Sequence, residues 1–130
     1  MPSTVMVVDD NVDELAIMIR ILLKTGRIIT VKTAERGETA LDLLRKNAVI
    51  PALIFLDIKM PGLSGIETVR QIRADEKLKH IPVVILTNSS LESDKKAAFA
   101  AGADDFINKA FNMDQFCNDV KSLLERWLKA

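Results

Sequence analysis

Cysteine is almost absent. Cys117 is the one such residue in 130, so no internal disulfide can form and no cysteine-based metal site has partners. Histidine is equally scarce, and a lone His80 beside a lone cysteine excludes a structural zinc centre. Net charge is also missing. The 18 basic and 18 acidic residues cancel, which argues against a basic nucleic-acid module. No apolar run is long enough to span a bilayer. The opening Met1-Pro2-Ser3-Thr4 carries no basic segment leading into an apolar one, so no signal peptide and a cytoplasmic placement are expected. Repeats, low-complexity stretches and linkers are lacking too.

What remains has an ordinary globular balance, 48% hydrophobic and 28% charged. A chain of this length buries about two-thirds of its unfolded surface, so a single domain over residues 1–130 is expected. Short β-branched runs alternate with amphipathic segments. Strands are predicted at Thr4–Val8, Ile28–Thr33, Ala52–Leu56, Val83–Thr87 and Asp105–Asn108. Several are continuously apolar, as suits strands buried on both faces of a parallel sheet. Helices are predicted near Val12–Thr25, Arg36–Lys46, Gly65–Ala74, Glu92–Ala101 and Met113–Leu128. Gly26 is placed to end the first in a left-handed cap. In the last, Met113, Phe116, Cys117, Val120, Leu123, Leu124 and Trp127 form one apolar stripe. Core packing accounts for Cys117 and Trp127 there. Five β–α units in succession imply a parallel sheet with helices on both faces.

A few polar residues carry the chemistry. Asp9-Asp10 closes the first strand, Asp57 the third and Thr87 the fourth, and Lys109 follows the fifth. In a parallel sheet those ends share one edge, where ligand sites form. Three carboxylates then meet one ammonium, an excess of negative charge that calls for a cation. Oxygen donors without thiolate or imidazole select a hard ion such as Mg²⁺. A carboxylate can also act as a nucleophile and form an aspartyl phosphate. Transfer of a phosphoryl group requires its equatorial oxygens to be neutralised. Asp57 is accordingly assigned as nucleophile and Asp9 and Asp10 as metal ligands. Lys109 and the Thr87 hydroxyl are the groups that face the phosphoryl oxygens. Helix or loop capping explains any one of these acids, but not five positions on one edge.

These residues bring the chain close to a known family. Val8-Asp9-Asp10, Leu56-Asp57-Ile58-Lys59-Met60-Pro61-Gly62-Leu63-Ser64-Gly65, Leu86-Thr87 and Asn108-Lys109 resemble the motifs of response regulator receiver domains, and the resemblance spans essentially the whole chain. It implies a doubly wound (βα)5 domain of flavodoxin-like strand order 2-1-3-4-5. It implies a signalling switch rather than an enzyme in its own right, one that takes part in its own phosphorylation and dephosphorylation. Asp57 would accept a phosphoryl group from a histidine kinase or a phosphotransfer phosphohistidine. Asp10 would ligate Mg²⁺ directly, Asp9 through water, and the backbone carbonyl of Lys59 would be a further ligand. Thr87 and Phe106 would form the switch, altering the face made by the fourth helix, fifth strand and fifth helix. That face would signal to an output protein or form a homodimer. Two residues depart from the family pattern. Ala110 stands where a proline usually follows the lysine, and a trans Lys109-Ala110 bond is expected because a cis bond before a non-proline costs roughly 2.5–4 kcal/mol. Phe106 stands where Tyr or His is frequent, so this aromatic donates no hydrogen bond.

Partner surfaces follow from helical wheels. In the first helix, Leu15, Met18, Ile19, Leu22 and Leu23 fall in the predicted core arc. Ile17 and Ile21 fall outside it, one turn apart, and are expected to be exposed as a contact for the kinase or phosphotransfer protein. In the fourth helix Ala97, Ala98 and Ala101 face inward while Phe99 points outward, toward an output partner. His80 is read as a solvated loop residue. The chain as given ends with its fifth helix, so either a stand-alone regulator or an excised receiver is expected, without direct contact to nucleic acid.

Three rival classes fit these residues less well. An Asp-nucleophile phosphatase of the haloacid dehalogenase type needs Asp-x-Asp on its first strand, where Asp9 and Asp10 are adjacent. A flavin carrier needs a Ser/Thr/Gly-rich phosphate loop, where this chain has Asp9-Asp10-Asn11-Val12-Asp13-Glu14. A receiver that is never phosphorylated would not need the acids to be intact.

Overall fold

Two strands, β3 (Leu53–Asp57) and β4 (Val83–Thr87), are buried at every position, as their continuous apolar runs require. The computed structural model describes residues 3–46, 50–88, 92–109 and 112–128. Around the central pair lie β1 (Ser3–Val8), β2 (Ile29–Ala34) and β5 (Asp105–Asn108). The connecting helices are α1 (Val12–Lys24), α2 (Gly37–Lys46), α3 (Gly65–Ala74), α4 (Glu92–Ala101) and α5 (Met113–Trp127). All strand pairs are parallel and the order is β2-β1-β3-β4-β5. This is the parallel sheet that the alternation predicts, in the doubly wound (βα)5 arrangement and flavodoxin-like order 2-1-3-4-5 that the family resemblance implies.

Strand alternation divides the core in two. Met6, Val8, Ile54, Leu56, Val83 and Ile85 pack on one side with residues of α2, α3 and α4. Val5, Val7, Leu53, Phe55, Val84, Leu86 and Ile107 pack on the other with α1 and α5. The helices begin where their caps place them. Asn11 accepts from the amides of Asp13 and Glu14, Ser64 from that of Glu67, and Asn112 from that of Gln115. Gly26 takes φ 80°, the left-handed stop expected after α1.

Arg73 ties together the end of the sheet opposite the acidic residues. Its guanidinium donates to the carbonyls of Gly102, Lys79 and Ile81 and pairs with Asp104 at 2.6 Å. Asp104 in turn accepts the amide of Val83. The C-terminal end of α4 is therefore pinned to α3 and β4. Along its own length α4 fully buries only Ala98 among the described residues.

The α1 wheel needs correction. Ile21 is 7% exposed and belongs to the core, not to a partner surface. It shares a cluster with Phe116, Val120, Leu123 and Leu124 of α5. Leu23, expected inside, is 63% exposed, and Ile19 is half-buried. The reason is that α5 packs beside α1 and rotates the buried arc toward itself. Met113, read as part of the α5 stripe, is exposed. Cys117 and Trp127 are partly buried against the same core, and His80 is exposed as expected. Ala110 lies outside the described residues, and with it the Lys109-Ala110 bond. No helix among the described residues is long and apolar enough to cross a membrane.

Candidate functional site

The C-terminal ends of β1, β3, β4 and β5 converge because parallel pairing aligns them. Asp57 is in register with Leu86, and Thr87 with Asn108. Lys109 continues from β5, with its amide on the carbonyl of Thr87. Asp9, Asp57 and Thr87 are buried there, while Asp10 is exposed. Asp9 is fixed by its own loop, since its Oδ1 accepts the amide of Asn11 at 2.9 Å. The β3–α3 loop is closed at its base by Gly65, whose amide donates to the carbonyl of Ile58. A side chain on Gly65 would run into the carbonyl oxygen of Asp57. Lys59 lies on this loop, exposed, two residues past Asp57.

One ammonium serves three carboxylates. Lys109 Nζ lies 2.6 Å from Glu14 Oε2, 2.9 Å from Asp9 Oδ2 and 3.4 Å from Asp57 Oδ1. Burial pushes the Asp57 carboxyl up to about 6, and the charges of Asp9 and Glu14 add to the rise against the pull of Lys109. Burial likewise holds Asp9 above its usual range, opposed by Lys109. For Glu14 burial acts upward, but the hydrogen bonds it accepts from Lys109 and Asp9 prevail and its carboxyl is held low. Burial alone would discharge Lys109, yet its carboxylate partners keep it more strongly protonated than usual.

Asp9, Asp10 and Asp57 offer oxygens that all lie within 4.8 Å of one another. An all-oxygen set with this surplus of negative charge fits a hard divalent ion. The expected trio, Lys109 and Thr87 are thus brought to one edge. Glu14, which makes the shortest contact of all, was not singled out from the sequence. Its signal was available in the N-cap Asn11, which turns the first residues of α1 back over the strand ends. Phe106 and Phe99, read separately, meet with ring centroids 6.5 Å apart. Phe99 is exposed and Phe106 half-buried, so the aromatic pair runs from the surface of α4 to β5. Ile17 is 37% exposed and lines a cavity of about 210 Å³ with Glu14, Met18, Lys109, Met113 and Phe116.

Fold and site together define a doubly wound α/β protein with an acidic crevice and the Lys109 ammonium at the carboxyl edge of its sheet. The model of the response regulator receiver domain matches residues 5–121, and the chain belongs to that family, a signalling module of two-component systems. It is 33% identical over 124 residues to the polar-differentiation response regulator DivK of Brucella anthropi, covering 95% of this chain and 98% of DivK. It is 37% identical over 127 residues, 98% of this chain, to histidine kinase P4 of Formosa agariphila, of which it spans only 9%. Among solved structures, the phosphorylated cyanobacterial phytochrome response regulator RcpA superimposes with TM-score 0.91 at 30% identity, covering 99% of this chain and 96% of RcpA. The Mn²⁺-bound response regulator Rcp1 gives TM-score 0.87 at 25% identity, with 99% and 96% coverage.

Proposed function

We propose that Asp57 accepts a phosphoryl group from the phosphohistidine of a sensor histidine kinase or histidine phosphotransfer protein, in a reaction that depends on Mg²⁺. The observation that carries this reading is the meeting of Asp9, Asp10, Asp57 and Lys109 at one sheet edge. An Asp57 carboxylate oxygen attacks phosphorus, the P–N bond breaks, and the imidazole leaves with the electron pair. The half-buried Lys109 ammonium pairs with one equatorial phosphoryl oxygen, and the Thr87 hydroxyl donates to a second. Asp9, Asp10, Asp57 and the Lys59 carbonyl would hold the metal, which would neutralise carboxylate and phosphoryl charge when bound.

The new acyl phosphate then draws Thr87 and Lys109 toward it. Phe106 follows by repacking beside Thr87, and its contact with Phe99 carries the change to the α4–β5–α5 face. That face signals to an output protein or pairs two copies of the chain. Under this reading the chain acts in the cytoplasm, through protein contacts and without direct contact to nucleic acid or membrane.

The deciding experiment uses acetyl phosphate or phosphoramidate and intact mass. One phosphoryl mass is expected with Mg²⁺ and none with EDTA, with the adduct on the fragment that contains Asp57. An adduct elsewhere, or one indifferent to EDTA, overturns the assignment.

Ile17 beside this crevice is assigned to donor contact. Ile17→Ala is expected to slow transfer from the phosphohistidine donor while the small-donor rate and the unfolding midpoint stay near wild type. A stability loss of about 2–5 kcal/mol, the scale of a core truncation, would show that Ile17 packs inward instead.

A further inference from the structure

Lys109 holds the key phosphoryl contact in the reading above, yet its shortest bond is not to the phosphoacceptor. An ammonium has three protons. Here each has a carboxylate to face: Glu14 at 2.6 Å, Asp9 at 2.9 Å and Asp57 at 3.4 Å. The proton that faces Asp57 can pass to a phosphoryl oxygen on that residue, but it has the longest contact of the three, and shortening it pulls the ammonium away from Glu14 or Asp9.

Asp9 is poorly suited to let it go. It is buried, it also accepts the Asn11 amide, and release would leave a bare charge without water. Glu14 differs on every count. Its side chain is 29% exposed, it reaches in from the first turn of α1 on a flexible stem, and water can solvate it once it swings out. It also stands outside the group of acids whose oxygens are close enough to share a metal. Its strongest contact is therefore with the lysine, beside hydrogen bonds to Asp9 and Asn88, and it offers no oxygen to the shared acidic group itself.

We propose that Glu14 is a positioning residue that acts through Lys109: in the unphosphorylated protein it holds the ammonium away from Asp57, and it surrenders that ammonium when the phosphoryl group arrives. This rests on Asp57 being the phosphoacceptor. Glu14 thereby sets how costly the phosphorylated arrangement is. A neutral residue at this position leaves Lys109 free to lean toward the phosphoryl oxygens. It also removes a negative charge near the acidic trio and lets Lys109 compete more strongly for Asp9 and Asp57. The phosphorylated form gains and the metal loses.

These opposite signs make the test. Trifluoroberyllate, a phosphoryl-shaped anion, is titrated at saturating Mg²⁺ into wild type, Glu14→Gln and Glu14→Ala, and Mg²⁺ alone is titrated by calorimetry. Both variants are expected to bind the analogue about tenfold more tightly, the scale of one charge-assisted hydrogen bond. Both are expected to bind Mg²⁺ about two- to threefold more weakly, as befits one lost charge near a solvated site. A merely structural role would weaken both ligands together, and that result overturns the proposal, as does unchanged analogue affinity in either variant. A wild-type protein that takes no analogue at all would instead overturn the phosphoacceptor reading itself.

Discussion

Asp57→Asn is expected to take up no phosphoryl group and, in EDTA at pH 7, to unfold at a higher urea concentration than wild type. The first half follows because a carboxamide is no nucleophile at this site. The second follows from the carboxyl's environment. Burial raises it from 3.8 to about 6, with Asp9 and Glu14 adding to the rise. The folded protein then binds this proton more tightly than the unfolded chain does. As pH climbs from about 4 to about 6 the unfolded chain releases its proton first, so the fold loses stability across that window. Two pKa units correspond to about 3 kcal/mol, and about 2 kcal/mol is a fair expectation for a side chain that still touches solvent. Asparagine carries no such charge and escapes the loss. The gain should be present at pH 7 and gone near pH 4, with the urea slope unchanged. An asparagine variant less stable than wild type at pH 7 would mean that Lys109 more than compensates the buried charge.

Gly65→Ala carries the second large effect. A Cβ at this position meets Ile58 Cα at 2.8 Å and collides with the carbonyl oxygen of Asp57. Both neighbours are backbone, so they cannot swing aside as a side chain would. The strand end, the loop or the first turn of α3 must move. Overpacking of this kind costs about 1–3 kcal/mol. The chemical cost is expected to be larger, because the displaced segment carries Asp57, the proposed phosphoacceptor. A misplacement of about 1 Å at a reacting atom lowers the rate on the order of a hundredfold. Small-donor phosphorylation rates, measured beside urea unfolding, should show the rate falling much further than stability accounts for. A variant that phosphorylates at the wild-type rate would mean that the loop absorbs the methyl without moving Asp57.

The sheet was legible because its signal is carried by composition over whole segments. Continuous apolar runs such as Leu53–Leu56 and Val83–Leu86 suit strands covered on both sides, and their shortness and β-branched content favour strand over buried helix. Once five of them are known to be parallel, topology alone sends Asp9, Asp10, Asp57 and Thr87 to one edge, with Lys109 just beyond. What a single helix cannot reveal is its neighbour. The wheel for α1 is symmetric about its own apolar residues, and nothing in those residues says that α5 lies to one side. Ile21 was therefore placed outside and Leu23 inside, when the reverse holds. Glu14 escaped for a related reason. An acid in the first turn of a helix ordinarily answers the helix dipole, and that ordinary role masks a contact with a lysine 95 residues away. Phe99 and Phe106 were each read for their own element, and their pairing exists only once α4 is laid against β5.

The clamp at Arg73 has a mechanical consequence. It fastens α4 at its C-terminal end, through the Gly102 carbonyl and Asp104, while the helix buries almost nothing along its length. Such a helix is a lever with its fulcrum at one tip. Ten residues make an arm of about 15 Å, so a tilt of only ten degrees carries the far tip through roughly 2.5 Å. The far tip is the one that begins beyond Thr87, at the acidic edge, and Phe99 rides between it and the fulcrum. Under the proposed reading, a small force applied at the crevice would be spent on rotation, not on sliding, and the surface of α4 would turn while its anchored end kept the register of the sheet intact.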